Sequence, residues 1–201
     1  MKNRKEEIIM ATLELASEKG LGAVSMNMIA EKIGIKKPSL YNHFKSKEEL
    51  VSEMYLYLRE RAQKETKTQM NFEIFKSKSA QENLSYLVKN YIALSLEPKM
   101  QMFYKVIYSE RAISREAAKI MTTETEKMIN ATKQVLSIMS SNKLLQFNDI
   151  ETSSMSFALT IHSLMDYSLD KYLGYGMDSP IDMDLIDGYI SNFCYEHEVK
   201  E

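Results

Sequence analysis

Between Lys37 and Phe44 the chain gathers an ammonium, two hydroxyls, a carboxamide and an imidazole, from Lys37, Ser39, Tyr41, Asn42 and His43. Only Leu40 and Phe44 in this stretch are strongly apolar, and they stand one helical turn apart. A helix held by those two residues leaves the hydrogen-bonding side chains facing out. It buries too little to exist for stability alone. Donors of this kind on a short exposed helix suit the base edges and phosphates of a nucleic acid.

The preceding residues form the element that must position this helix. Ser25 is a fitting N-cap, because its hydroxyl can accept an orphan N–H at a helix start. Met26, Ile29, Ala30 and Ile33 then recur at helical spacing and give one apolar face. Gly34 supplies the left-handed backbone that a turn out of a helix needs. Ile35 plugs the corner, and the second helix starts near Lys36 or Lys37 with Pro38 in its first turn. Ala30 is small where two crossing helices must approach. This is the pattern of a helix-turn-helix whose second helix enters the major groove. The plainer alternative is a helical hairpin with a solvated second helix.

The rest of the chain is compatible with such a head on a larger body. With 201 residues, 44% hydrophobic and 27% charged, it can bury a real core. Six Gly, three Pro and no strand-like alternation predict an all-α fold. No apolar run reaches membrane-spanning length, the N-terminus lacks a signal-peptide core, and the single Cys194 suits a reducing cytoplasm. The net charge of −2 hides an asymmetry: residues 1–47 hold nine Lys or Arg against five Glu, a net of +4, leaving −6 elsewhere. A basic head on an acidic body is what a polyanion-binding module joined to a different domain should look like, although so few charges could also fall this way by chance.

In chain order, the first helix is expected over Asn3–Lys19, with Ile8, Ile9, Leu13 and Ala16 inward and Gly20-Leu21-Gly22 as its stop. Lys2, Arg4 and Lys5 either contact phosphates or belong to a solvated terminus. A core of Ile9, Leu13, Val24, Ile29, Ile33, Leu40 and Phe44 closes the three helices. Ser46 with Glu49 has capping-box spacing and opens a long helix over Lys47–Gln69, striped by Leu50, Met54, Tyr57 and Leu58. Lys47 in its first turn is placed to meet a phosphate. No breaker separates this helix from the head, so it is a mechanical connector. Three parts follow: residues 1–47 for DNA, 48–69 as connector, and 70–201 for effector binding and dimerisation.

From Arg4 to about Tyr57 the sequence resembles the N-terminal domain of the TetR family of bacterial transcriptional regulators. The matching stretches are GLGAVSM, MIAEKIGI and KKPSLYNHFKSKEELVSEMY, of which LYNHFKSKEEL is close to that family's most recognisable signature. The resemblance implies that Ser25, Tyr41, His43 and Lys47 bind phosphates, while Lys37, Ser39 and Asn42 face base edges. Lys suits guanine, Asn suits adenine and Ser is permissive. Pro38 shares that surface. Tyr41 could also pack against Phe44 and the connector. Lys36 departs from the family, which commonly has a small capping residue such as Ser there; it reaches either a phosphate or solvent.

Beyond the connector, Met70–Ser79 is read as a joining segment. Helices follow over Ala80–Leu96 (Leu84, Leu87, Val88, Tyr91, Ile92 and Leu94 inside), Lys99–Ala112, Ser114–Ser140, Asn148–Tyr175 and Met183–Val199. Fifteen Met suit either a soft core or an adaptable ligand site. Tyr91, Tyr104, Tyr108 and Met128 are candidates for an effector cavity wall. His162 and Asp166 share a helix face and could bind each other, a ligand or a cation. Two His elsewhere do not complete a metal set, and no catalytic constellation is present. No metal, cofactor or enzymatic activity is therefore expected. The Asn148–Tyr175 helix is apolar over more than one face, and the resemblance implies that the last two helices of two chains form a four-helix interface. The sequence thus reads as a cytoplasmic, homodimeric regulator of double-stranded operator DNA, a repressor released by a small apolar or aromatic effector. In the alternative reading, the helical body binds a protein partner instead.

Overall fold

A computed structural model describes residues 4–69 and 78–199, with backbone alone at 59 and 61–69. The described residues form α1 (Arg4–Lys19), a 3-10 turn (Leu21–Ala23), α2 (Met26–Lys32), α3 (Lys37–Tyr41), α4 (Lys47–Gln69), α5 (Ala80–Ser95), α6 (Pro98–Glu110), α7 (Arg115–Ser141), α8 (Ile150–Tyr175) and α9 (Met183–Glu196). No strand occurs among them, and no helix is long and apolar enough to cross a membrane. Most boundaries fall within a residue or two of the sequence expectation. There are two exceptions: α3 ends at Tyr41 with Asn42 as its C-cap, short of the Phe44 expected on it, and α9 stops at Glu196 instead of reaching Val199, where His197 leaves helical geometry and its carbonyl accepts the Gln146 N–H at 2.8 Å. Lys2, residues 70–77 of the joining segment and most side chains of the connector's charged end lie outside the described residues.

Packing divides the chain into two compact units, Met1–Met70 with Leu96–Thr123, and Asn71–Ser95 with Glu124–Glu201. These units differ from the expected parts 1–47, 48–69 and 70–201, because α6 and the first turns of α7 group with the helix-turn-helix. In the first unit α1 is central, with α2, α4, α6 and the 3-10 turn packed on it. This explains why Ala11, Thr12, Leu15 and Ser17 are buried beside the expected Ile8, Ile9, Leu13 and Ala16. Thr12 loses nothing by burial, since its hydroxyl donates to the Ile8 carbonyl at 2.8 Å.

In the second unit α9 packs on α5 and α8. Leu84, Val88, Ile92, Phe157, Ile161, Ile186, Ile190 and Phe193 are buried, while Leu87, Tyr91 and Leu94 are half-buried. Phe193 stands 4.7 Å from Phe157 and 4.5 Å from the His197 ring, centroid to centroid. Asp149 caps α8 by accepting from the Glu151 and Thr152 N–H groups at 3.0 and 3.2 Å. Those bonds, with the Thr152 hydroxyl foremost, hold its carboxyl below the usual range.

Candidate nucleic-acid interface

Local hydrogen bonds shape the turn. The Ser25 hydroxyl accepts from the Met28 N–H at 3.3 Å, fixing the start of α2. At the other end the Gly34 N–H donates to the Glu31 carbonyl at 3.1 Å, and the Ile35 N–H to Ala30 at 2.9 Å. These two bonds make a Schellman motif, with Gly34 at φ 68 as its left-handed residue. Lys36 occupies the N-cap of α3 in extended geometry and makes no side-chain cap. The helix starts on backbone alone: the Ser39 and Leu40 N–H groups donate to the Lys36 carbonyl at 2.9 and 3.4 Å.

Burial then separates the side chains of α3 by role. Leu40 is 0% and Phe44 1% exposed, whereas Tyr41 is 42% exposed. Lys36, Lys37, Pro38, Ser39 and Asn42 are exposed as well, and His43 is half-buried. Two apolar residues anchor the helix, with Ala30 buried on the opposing α2 and the Lys5 ammonium 5.5 Å from the Phe44 ring centre. Apart from Pro38, every other residue from Lys37 to His43 presents a side-chain donor. Tyr41 is thus too exposed to be a core residue.

Three neighbouring charges have protein partners. Lys47 Nζ donates to the Leu21 carbonyl at 2.7 Å and to Gly22 at 3.5 Å, stitching α4 to the 3-10 turn. This tie went unforeseen because it spans 26 residues; the ammonium keeps a third donor. Arg4 pairs with Glu7 at 2.7 Å, and Lys32 with Glu14 at 3.0 Å. The Ser46 hydroxyl accepts the Glu49 N–H at 3.1 Å, and the Glu49 carboxylate accepts from the Lys45 N–H at 2.6 Å. The capping box is therefore reciprocal, displaced by one residue. With Leu50 and Met54 fully buried behind it, the first turns of α4 are fixed to the head.

The candidate effector residues are distributed over both units. Tyr104 and Tyr108 belong to the first, with ring centroids 6.5 Å apart and Arg111 4.6 Å from the Tyr108 ring. Tyr91, Met128, His162 and Asp166 belong to the second. Tyr91 Oη lies 2.8 Å from His162 Nδ1, while His162 Nε2 is 3.8 Å from Asp166. Histidine's nearer partner is thus on α5, 71 positions away, rather than one turn along its own helix. Sequence reasoning also missed a cleft of about 450 Å³ in the first unit, lined by Tyr55, Leu56, Arg115, Glu116, Lys119 and Ile120. Its only sequence signal was an aromatic residue beside the connector's apolar stripe.

Residues 8–54 match the family model described as "Bacterial regulatory proteins, tetR family". The transcriptional repressor KstR2 of Mycolicibacterium smegmatis is 38% identical over 52 residues, 26% of this chain and 25% of that protein. The uncharacterized regulator YerO of Bacillus subtilis is 43% identical over 51 residues, 25% of this chain and 18% of its own. The chain thus spans a quarter or less of the length of these curated relatives. Solved structures extend the likeness of fold to the whole chain. A TetR transcription regulator of Haloarcula marismortui superposes with a TM-score of 0.70 at 16% identity, covering 98% of this chain and 99% of that one. A Saccharomonospora viridis protein solved with choline gives 0.69 at 16% identity, covering 100% of both. The residues that form the helix-turn-helix thus carry the DNA-binding domain characteristic of the TetR family of bacterial regulatory proteins, and the whole chain shares the fold of solved regulators.

Proposed function

We propose that the protein is a cytoplasmic homodimeric transcriptional repressor that binds an operator through α3 and leaves it when a small apolar or aromatic effector binds. The observation that carries this is the partition over α3 and the turn that follows it, where Leu40 and Phe44 are buried and Lys37, Ser39, Tyr41 and Asn42 are exposed. In this reading Lys37, Ser39 and Asn42 meet base edges. Ser25 can donate its hydroxyl proton to a phosphate while its oxygen caps α2; Tyr41, His43 and Lys47 bind phosphates alongside, with Lys36 and Pro38 at the same surface.

One head reads one half-site, so two-fold pairing is needed for an operator. Met155, Leu159, Leu185 and Tyr195 leave apolar surface on α8 and α9 exposed, which supports pairing through those helices. Residues 70–201 take up the effector, and α4 carries the change to the heads. Effector and operator then weaken each other reciprocally. The choline bound by the S. viridis protein supports a small-molecule effector without favouring an apolar one, and the printed role of KstR2 supports repression. Lys37→Ala and Tyr41→Ala should each weaken operator binding by about 1–3 kcal/mol, read by fluorescence anisotropy on a labelled duplex. Full affinity in both variants, with folding intact, refutes the assignment.

A further inference from the structure

Asn27 and Glu31 are joined on the exposed side of α2, and neither belongs to the contacts assigned so far. Asn27 Nδ2 donates to Glu31 Oε1 at 3.0 Å, one turn along the helix. It is the only side-chain bond that either residue makes among the described residues. A carboxylate accepts and has no proton to give, so it draws the N–H side of the amide towards itself. Turning the amide over would set Asn27 Oδ1 against the carboxylate, oxygen on oxygen. The pair therefore holds Oδ1 pointing away from Glu31, as an acceptor open to solvent.

The packing of α2 shows where that acceptor lies. Met26, Ile29 and Ala30 form its buried arc, and both α1 and α3 pack on the helix. Lys32 pairs with Glu14 of α1 at 3.0 Å, which puts α1 at the Ile29 edge of the arc and leaves the Ala30 edge to α3. At about 100° per residue, Asn27 stands about 60° beyond Ala30 and about 140° from Lys32. It is thus exposed on the flank that adjoins α3, in the first turn of α2 and two residues from Ser25.

We infer that Asn27 is a second specificity-determining residue, on α2 rather than α3, and that Glu31 is its positioning residue. Asn27 Oδ1 accepts from the exocyclic amino group of a base in the major groove, adenine N6 or cytosine N4. Guanine O6 and thymine O4 are acceptors themselves and meet that oxygen unfavourably. The inference rests on the operator binding proposed above and adds a base position decided by amino against keto character.

The test is selection of duplexes from a randomised pool by the full chain, run in parallel for the wild type, Asn27→Ala and Glu31→Ala. The wild type should favour adenine or cytosine over guanine or thymine on one strand, at one position of each half-site, by about threefold to tenfold. Asn27→Ala should lose that preference and keep the others. Glu31→Ala leaves the amide able to turn its donors outward, so the same preference should fall below about twofold while overall affinity is not reduced. A Glu31 that only supported α2 would change stability and leave base preference untouched. Both side chains are exposed, so neither substitution threatens the fold. If the wild type enriches a sequence but Asn27→Ala keeps every preference, or Glu31→Ala keeps the amino preference in full, the inference is overturned and operator binding stands. If the wild type enriches no sequence, operator binding fails and the inference fails with it.

Discussion

Leu40→Ala isolates what anchors the reading helix from what reads. Leu40 is 0% exposed on a helix of five residues whose other apolar anchor is Phe44. Truncation removes the transfer free energy of a fully buried Leu and leaves a cavity, together about 3 kcal/mol within a range of roughly 2–5. That is a large share of a native domain's stability of about 5–15 kcal/mol. Lys37→Ala, on the same helix but exposed, should stay within about 0.5 kcal/mol. Urea unfolding followed by circular dichroism gives both values, and anisotropy with a labelled duplex gives DNA affinity. Both variants should bind DNA poorly, but only Leu40→Ala should unfold at lower urea. If Leu40→Ala costs under about 1 kcal/mol, or Lys37→Ala costs as much, the division between anchor and reader is wrong.

Three further outcomes follow from the structure. Gly34→Ala should cost about 1 kcal/mol through backbone strain alone, because Gly34 has φ +68 and an added Cβ meets nothing within 4 Å; Gly34→Asn should recover part of the loss in the same urea experiment. Burial, with the Glu110 and Glu116 charges behind it, pushes the Tyr55 hydroxyl up to about 12 from 10.0. A raised folded value means the contribution is complete below pH 10 and is lost as pH rises towards 12. Alkaline unfolding of Tyr55→Phe should lack that component, and at neutral pH the variant should gain about 1 kcal/mol by losing an orphan hydroxyl. Burial pushes the Cys194 thiol up to about 11 from 9.0, so its reaction with a thiol reagent at pH 8 should be slow in the folded protein and fast in urea.

The helices were legible because their signals are local. Ser25, Gly34, Pro38 and Ser46 each act on backbone groups within a few residues, and the apolar periods of α1 and α4 lie within their own sequences. The faces covered by distant elements were not. Ala11 and Leu15 are buried because several elements surround α1, and Tyr55 because α4 is covered off its expected stripe. Neither fact has a signature within one helix. Lys47 was expected to meet a phosphate from its place in the first turn of α4, and its tie to the Leu21 carbonyl went unread because it depends on where the chain returns after 26 residues. His162 is similar: a partner one turn away was visible, and the nearer Tyr91 on another helix was not. The exposed face of α3 could be read early because its two anchors and its donors share one short stretch.

The central claim is that this face selects sequence. Enrichment of duplexes from a randomised pool by the wild-type protein, and in parallel by Lys37→Ala and Asn42→Ala, tests it most directly. The wild-type protein should enrich a two-fold symmetric sequence, and each variant should lose preference at its own position in both half-sites while keeping the rest. No enrichment by the wild-type protein, or the same sequence with undiminished preference from both variants, would contradict it.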